Sequence, residues 1–119
     1  MNDATLACID DLRGWLGERL STAPAVRDQH GRDTTFHPVM PPDAVAFPQT
    51  VVEVQRIVAA CAARRVPLVA FGTGTSCEGH IAALRGGISL DTRGLDRIRE
   101  VRAADMDATV EAGVTRKSL

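Results

Sequence analysis

The run Phe71-Gly72-Thr73-Gly74-Thr75-Ser76-Cys77-Glu78-Gly79-His80 holds the residues of this chain best suited to binding chemistry. Three glycines and three hydroxylated side chains (Thr73, Thr75 and Ser76) occupy the eight positions from Gly72 to Gly79. Glycine lets backbone N–H groups turn inward and lets a ligand approach the main chain closely. Thr and Ser add side-chain donors. Such a loop can close into a nest of N–H dipoles that holds phosphate or pyrophosphate. The same composition also suits a plain surface turn between two strands, and composition alone does not separate the readings.

Two other phosphate loops are excluded by spacing. A Walker A loop needs Gly-x-x-x-x-Gly-Lys-Ser/Thr. Gly74 and Gly79 have that glycine spacing, but His80-Ile81 follow. A dinucleotide fingerprint needs G-x-G-x-x-G opening a helix, and the sixth position from Gly72 is Cys77. Residues 80–87 do not read as a helix start. The pattern predicts a strand–loop–strand pyrophosphate cradle.

The flanking elements must position that loop. Ala4 to Leu20 reads as an amphipathic helix with Leu6, Ile9, Leu12, Leu16 and Leu20 on its apolar stripe and Asp3 as N-cap. Ser21 to Pro42 is polar and proline-rich, and reads as an irregular connection anchored by Phe36 and Val39. Ala44 to Phe47 is a short strand. Thr50-Val51-Val52-Glu53 is a capping box that opens a helix to about Arg65, with Val54, Ile57, Val58, Cys61 and Ala62 inward. Leu68 to Phe71 is the next strand. This is a β-α-β unit, whose two strands should run parallel with a right-handed crossover. Ligands of such units bind at the carboxyl ends of strands, where the glycine loop lies. Gly87 to Asp91 is a further strand, and Asp91 ends it as a turn former. Ile98 to Val101 and Ala108 to Ala112 form a hairpin across Ala103 to Asp107. Thr115 could cap a new helix, so the sequence is expected to be cut inside a longer domain.

Composition narrows the function classes. The 119 residues suffice for one small domain, and 45% are hydrophobic. Mean hydropathy is -0.03, which suits a globular chain. Net charge is -1, so no basic field drives nucleic-acid binding. Aromatics are 3% with no tyrosine, which argues against a base-stacking platform. Cys8, Cys61 and Cys77 form no CxxC pair and suit a reducing compartment. Cys61 reads as core and Cys77 as a passive loop thiol. His30, His37 and His80 lack metal-ligand spacing. No apolar run reaches membrane-spanning length and no secretory signal is visible, so the expected location is cytoplasmic, with a peripheral inner-membrane association for the full-length protein left open.

The order of features resembles the FAD-linked oxidases of the vanillyl-alcohol oxidase and p-cresol methylhydroxylase type. It is most similar to the branch of the cytochrome-linked D-lactate dehydrogenases and the glycolate oxidase FAD subunit. The stretches that carry the likeness are residues 41–48, the helix with Glu53-Val54, Val66-Pro67-Leu68, the loop itself, Gly86 to Asp91, Asp105-Met106-Asp107 and Val110 to Leu119. They are colinear over about residues 38–119. The resemblance implies an α+β fold: an N-terminal helix and connection (residues 1–37), then the first part of an FAD-binding domain (38–119). It implies FAD, with Gly72, Thr73, Gly74, Thr75, Ser76, Gly79 and His80 at the cofactor and the pyrophosphate on Gly72 to Ser76. It also implies oxidation of a small-molecule 2-hydroxy acid to the 2-oxo acid, D-lactate before glycolate, with an electron acceptor the chain does not specify. Ala112 replaces the family's usual proline, which alters loop stiffness and not chemistry. Thr75 occupies the position where some members carry a flavin-linked His, so the cofactor is expected to be noncovalent. His80 reads as a polar loop residue rather than a base, and Glu78 as loop-fixing. Catalytic residues are expected beyond Leu119. A stand-alone nucleotide- or phosphate-binding module and a truncated remnant that associates with other chains remain alternatives.

Overall fold

The computed structural model describes all 119 residues. The first helix, α1 (Asp3–Leu16), is capped by Asn2 and not by Asp3: the Asn2 Oδ1 accepts from the Thr5 N–H at 2.8 Å. Asp3 instead opens the helix, where its charge complements the dipole. The buried face of α1 is Thr5, Cys8, Ile9, Leu12 and Leu16. Leu6, expected on the stripe, is 46% exposed, because it sits roughly 100° of helix rotation from the middle of that face. A 3-10 turn over Gly17–Arg19 leads into β1 (Leu20–Ser21).

The proline-rich connection is more ordered than its composition implies. It contains a short helix, α2 (Pro24–Gln29), with Pro24 in the first turn, a position where its fixed φ is an advantage. The expected anchor Phe36 fails: its side chain is 93% exposed. Buried instead are His30, Gly31 and Pro42.

Beyond it lie β2 (Ala44–Ala46), α3 (Val51–Arg64), β3 (Leu68–Phe71) and β4 (Ile88–Asp91). The Thr50 Oγ1 accepts from the Glu53 N–H at 3.1 Å, as the capping box requires. The Glu53 carboxylate reaches back one residue further, accepting from the Gln49 N–H at 2.9 Å. Ile57 and Cys61 are the buried residues of α3. Val54 packs partly against the core, whereas Val58 and Ala62, both expected inward, are exposed.

The four-stranded sheet has the order β1-β2-β4-β3. β1 is antiparallel to β2; β2 and β3 are each parallel to β4. The β-α-β unit therefore has parallel strands, as its sequence predicts, but they are not neighbours. β4 fills the place between them. Its four residues are all buried, the pattern of a central parallel strand, while β3 takes the sheet edge. The hairpin is as expected: β5 (Ile98–Arg102) and β6 (Asp107–Val110) pair antiparallel around a 3-10 turn at Ala103–Asp105.

The core lies between the sheet and helices α1 and α3, with Leu12, Ile57, Ile88 and Leu90 at its centre. Cys8 and Cys61 meet there with sulfurs 3.8 Å apart, and both are free thiols. Burial pushes both thiols up, Cys61 to about 12.

A bidentate pair ties the turn after α1 to the start of α3. Arg19 Nη1 and Nη2 donate to Glu53 Oε1 and Oε2 at 2.8 and 2.6 Å. The Arg19 guanidinium is the main reason the Glu53 carboxyl falls from 4.5 to about 2. A depressed carboxylate stabilises the fold above its unfolded value and loses that contribution as pH falls toward its folded one. Glu53→Gln is expected to cost about 1–2 kcal/mol at pH 7, after allowance for solvent screening. Thermal melts should show that gap between wild type and variant closing as pH drops from about 4.5 toward about 2. A gap constant with pH would contradict the assignment.

Candidate cofactor site at the carboxyl edge of the sheet

β3 and β4 end side by side, with Phe71 and Asp91 in register. The glycine loop leaves from Phe71, and a 3-10 turn, Thr92–Gly94, leaves from Asp91. Between them opens a cleft of about 420 Å³. Gly72 and Thr73 line it from the loop, Thr92 and Arg93 from the turn, and residues 112–116 from the segment after β6. The lining includes two arginines, Arg93 and Arg116, and no carboxylate. In a chain of net charge -1, that local excess of positive charge favours an anionic ligand.

The loop supplies donors beside this cleft. The backbone N–H groups of Gly72, Thr73, Gly74, Thr75 and Ser76 donate to no backbone acceptor of the chain. The Thr73 and Thr75 hydroxyls lie 3.0 Å from each other. Gly74 has φ +71°, a conformation side chains rarely adopt. No helix follows; the chain passes through turns to β4, as the strand–loop–strand reading predicts.

Gly72 and Thr73 are thus the two sequence-assigned residues that line the cleft; Gly74, Thr75, Ser76, Gly79 and His80 are not among its lining residues. Gly79 turns instead toward the connection after α2. There Asp33 is held below its usual range, chiefly by the Thr35 hydroxyl and with a small contribution from the Gly79 backbone. Cys77, Glu78 and His80 are all exposed.

Sequence reasoning missed the other two walls. Thr92 and Arg93 carry one weak signal: they are the first residues past the carboxyl end of a buried parallel strand. Residues 112–116 belong to a stretch that carries the family likeness, yet nothing in their types assigns them to the site. The structure fixes this wall firmly. The Gly113 N–H donates to the Leu95 carbonyl at 2.8 Å. The Glu111 carboxylate is buried and accepts from the Arg97 N–H at 3.0 Å and from Arg99 Nη2 at 3.2 Å.

Asp91 does more than end its strand. Its Oδ1 accepts from the Arg93 N–H at 2.8 Å, the turn expected from sequence. Its Oδ2 also meets His30 Nε2 at 2.8 Å and Arg93 Nε at 3.0 Å. His30 and Asp91 are both fully buried.

Residues 42–119 match the family model described as an FAD binding domain. The chain belongs to this family. FAD is its cofactor. Curated relatives carry the names of a dehydrogenase and an oxidase subunit. A protein of Danio rerio named as a probable mitochondrial D-lactate dehydrogenase is 46% identical over 102 residues, covering 86% of this chain and 20% of the relative. A glycolate oxidase subunit of Bacillus subtilis is 33% identical over 97 residues, covering 82% of this chain and 21% of the relative. The chain thus spans about a fifth of the length of these relatives. Among solved structures, p-cresol methylhydroxylase with substrate bound superposes with a TM-score of 0.87 at 22% identity, over 99% of this chain and 24% of that one. At that identity the likeness shows the fold, which is the one expected from sequence. No helix is long and apolar enough to cross a membrane.

The residues present fit FAD. Its diphosphate needs N–H donors and positive charge. Unpaired amides from Gly72 to Ser76, next to Arg93 and Arg116, meet each requirement.

Proposed function

We propose that residues 38–119 form the first part of the FAD-binding domain, with residues 1–37 as an N-terminal arm that docks on its sheet. In the complete protein the domain serves oxidation of a 2-hydroxy acid to the 2-oxo acid, with D-lactate the first candidate and glycolate the second. The observation that carries this reading is the run of five unpaired backbone amides beside a cleft lined by two arginines, at the carboxyl edge of a parallel sheet. The stronger match to the D-lactate dehydrogenase relative than to the glycolate oxidase subunit supports the substrate order.

Bound FAD supplies the hydride acceptor. The Gly72–Ser76 amides would hold its diphosphate, while Gly79 and His80, which the resemblance assigns to the cofactor, lie at the far end of the same loop, outside the cleft lining. The wall at residues 112–116 closes the opposite side of the cleft and limits water there. No side chain of this chain is assigned as the base that takes the substrate proton. Catalytic groups are assigned to the remainder of the protein, of which this chain covers about a fifth by comparison with its relatives. Two free buried thiols 3.8 Å apart support a reducing compartment.

Attachment of the flavin is noncovalent, because a threonine cannot form the bond that histidine forms at position 75. Acid precipitation of the complete protein should leave intact FAD in the supernatant. Flavin absorbance that stays with the pellet would contradict this. The same preparation should reduce a dye with D-lactate and more slowly with glycolate; a protein that binds FAD and oxidises neither would overturn the substrate assignment.

A further inference from the structure

Arg93 stands half out of the protein at the cleft, yet its base is fixed from inside. Its side chain is 59% exposed, whereas the Asp91 side chain beneath it is 0% exposed. Arg93 Nε and Nη2 reach Asp91 Oδ2 at 3.0 and 2.9 Å. The guanidinium carbon also lies 5.3 Å from the centre of the Phe47 ring. On its inner side, Asp91 is held by His30, whose Nε2 meets the same oxygen at 2.8 Å. The His30 ring is in turn fixed by Nδ1 on the Val26 carbonyl at 2.8 Å and lies against Phe71, 4.3 Å between ring centres.

A buried carboxylate is costly unless every lone pair is used. Here the cost has a specific product: a guanidinium held at one wall of the cleft that Gly72 and Thr73 also line. A surface arginine without such a clamp would sample many rotamers and lose them on binding a ligand. His30 comes from the segment between α2 and β2, outside the residues that match the family model. The N-terminal arm therefore reaches, through His30 and Asp91, to the binding cleft.

We propose that Arg93 is a ligand of the cofactor's diphosphate, and that the buried His30–Asp91 pair is the device that positions it. This rests on the FAD reading above. The arm before residue 42 then contributes to cofactor affinity through His30, without touching the cofactor itself.

The test is a fluorescence titration of the flavin-free complete protein with FAD. Arg93→Ala should raise the dissociation constant by about ten- to a hundredfold, the range for removing one charge-assisted hydrogen bond. Arg93→Lys should recover part of that affinity, because it keeps the charge but not the fork. Raising salt should weaken wild type more than Arg93→Ala. Asp91→Asn should weaken binding in the wild-type background and add little in the Arg93→Ala background, because it acts through that arginine. Effects that simply add would mean Asp91 is only structural, and would overturn the positioning role. Should Asp91→Asn fail to fold, His30→Gln in the same two backgrounds decides the point. If wild type binds FAD and Arg93→Ala binds it equally, the inference fails and the FAD reading stands. If wild type binds no FAD at all, both fail.

Discussion

Gly74→Val is expected to weaken FAD binding by the complete protein at least tenfold, while Cys77→Ala leaves it within about twofold. Two physical reasons combine at Gly74. Its φ of +71° penalises any β-branched side chain. A Cβ there would also sit 2.6 Å from Cζ of Phe71, so the ring or the loop must shift. Phe71 ends β3 and packs on His30, so the ring has little room to give way. The loop yields instead, and the row of amides from Gly72 to Ser76 is pulled out of alignment. Each charge-assisted N–H hydrogen bond to the diphosphate that is broken costs about 1.5–3 kcal/mol. Cys77 is exposed and makes no hydrogen bond that alanine would remove. Flavin titration of both variants measures the difference. Equal affinities would mean that the loop is a plain turn and that the diphosphate is held elsewhere.

The opposite wall of the cleft has its own narrow point. A Cβ on Gly113 would collide with the Thr92 carbonyl oxygen and lie 2.8 Å from that of Leu95. These are backbone atoms, which cannot rotate away. Gly113→Ala must therefore push residues 112–116 outward and break the bond from its own N–H to Leu95. The expected decrease in stability is about 1–3 kcal/mol, the usual range for overpacking a closed site. FAD affinity should fall with it, because residues 112–116 form one side of the cleft. Gly14 provides the control: nothing lies within 4 Å of a Cβ there, and it sits inside α1. Gly14→Ala should be stabilising by about 0.5–1 kcal/mol, from helix propensity alone. Thermal melts of the two variants should move in opposite directions. A Gly113→Ala protein as stable as wild type, with unchanged FAD affinity, would show that this wall is soft and plays no part in binding.

The parts of the fold that are legible in the sequence are those with a strong local cause. The capping box at Thr50, the apolar strands and the hairpin turn each depend on residues close together in the chain. The strand–loop–strand character of the glycine loop is legible too, because spacing alone excludes the helical alternatives. Sequence and structure part where a non-local partner decides the outcome. Leu6 and Val58 have the right type for a core, but α1 and α3 meet through Cys8, Leu12, Ile57 and Cys61, which turns those two side chains to solvent. β4 separates β2 from β3, and no local signal fixes strand order. His30 reads as one polar residue in a polar segment. Its role depends on Asp91, 61 positions away. Half of the cleft is hidden for the same reason: Arg93 and residues 112–116 come to the loop only after the sheet has formed.

The central claim is that the diphosphate of FAD rests at the carboxyl edge of β3 and β4, between the glycine loop and Arg93. A structure of the complete protein with FAD bound tests it most directly. Diphosphate oxygens are expected within hydrogen-bond distance of backbone amides between Gly72 and Ser76, with the Arg93 guanidinium on the same group and no covalent link at Thr75. A diphosphate held by other segments, with the Gly72–Ser76 amides facing solvent, would contradict it.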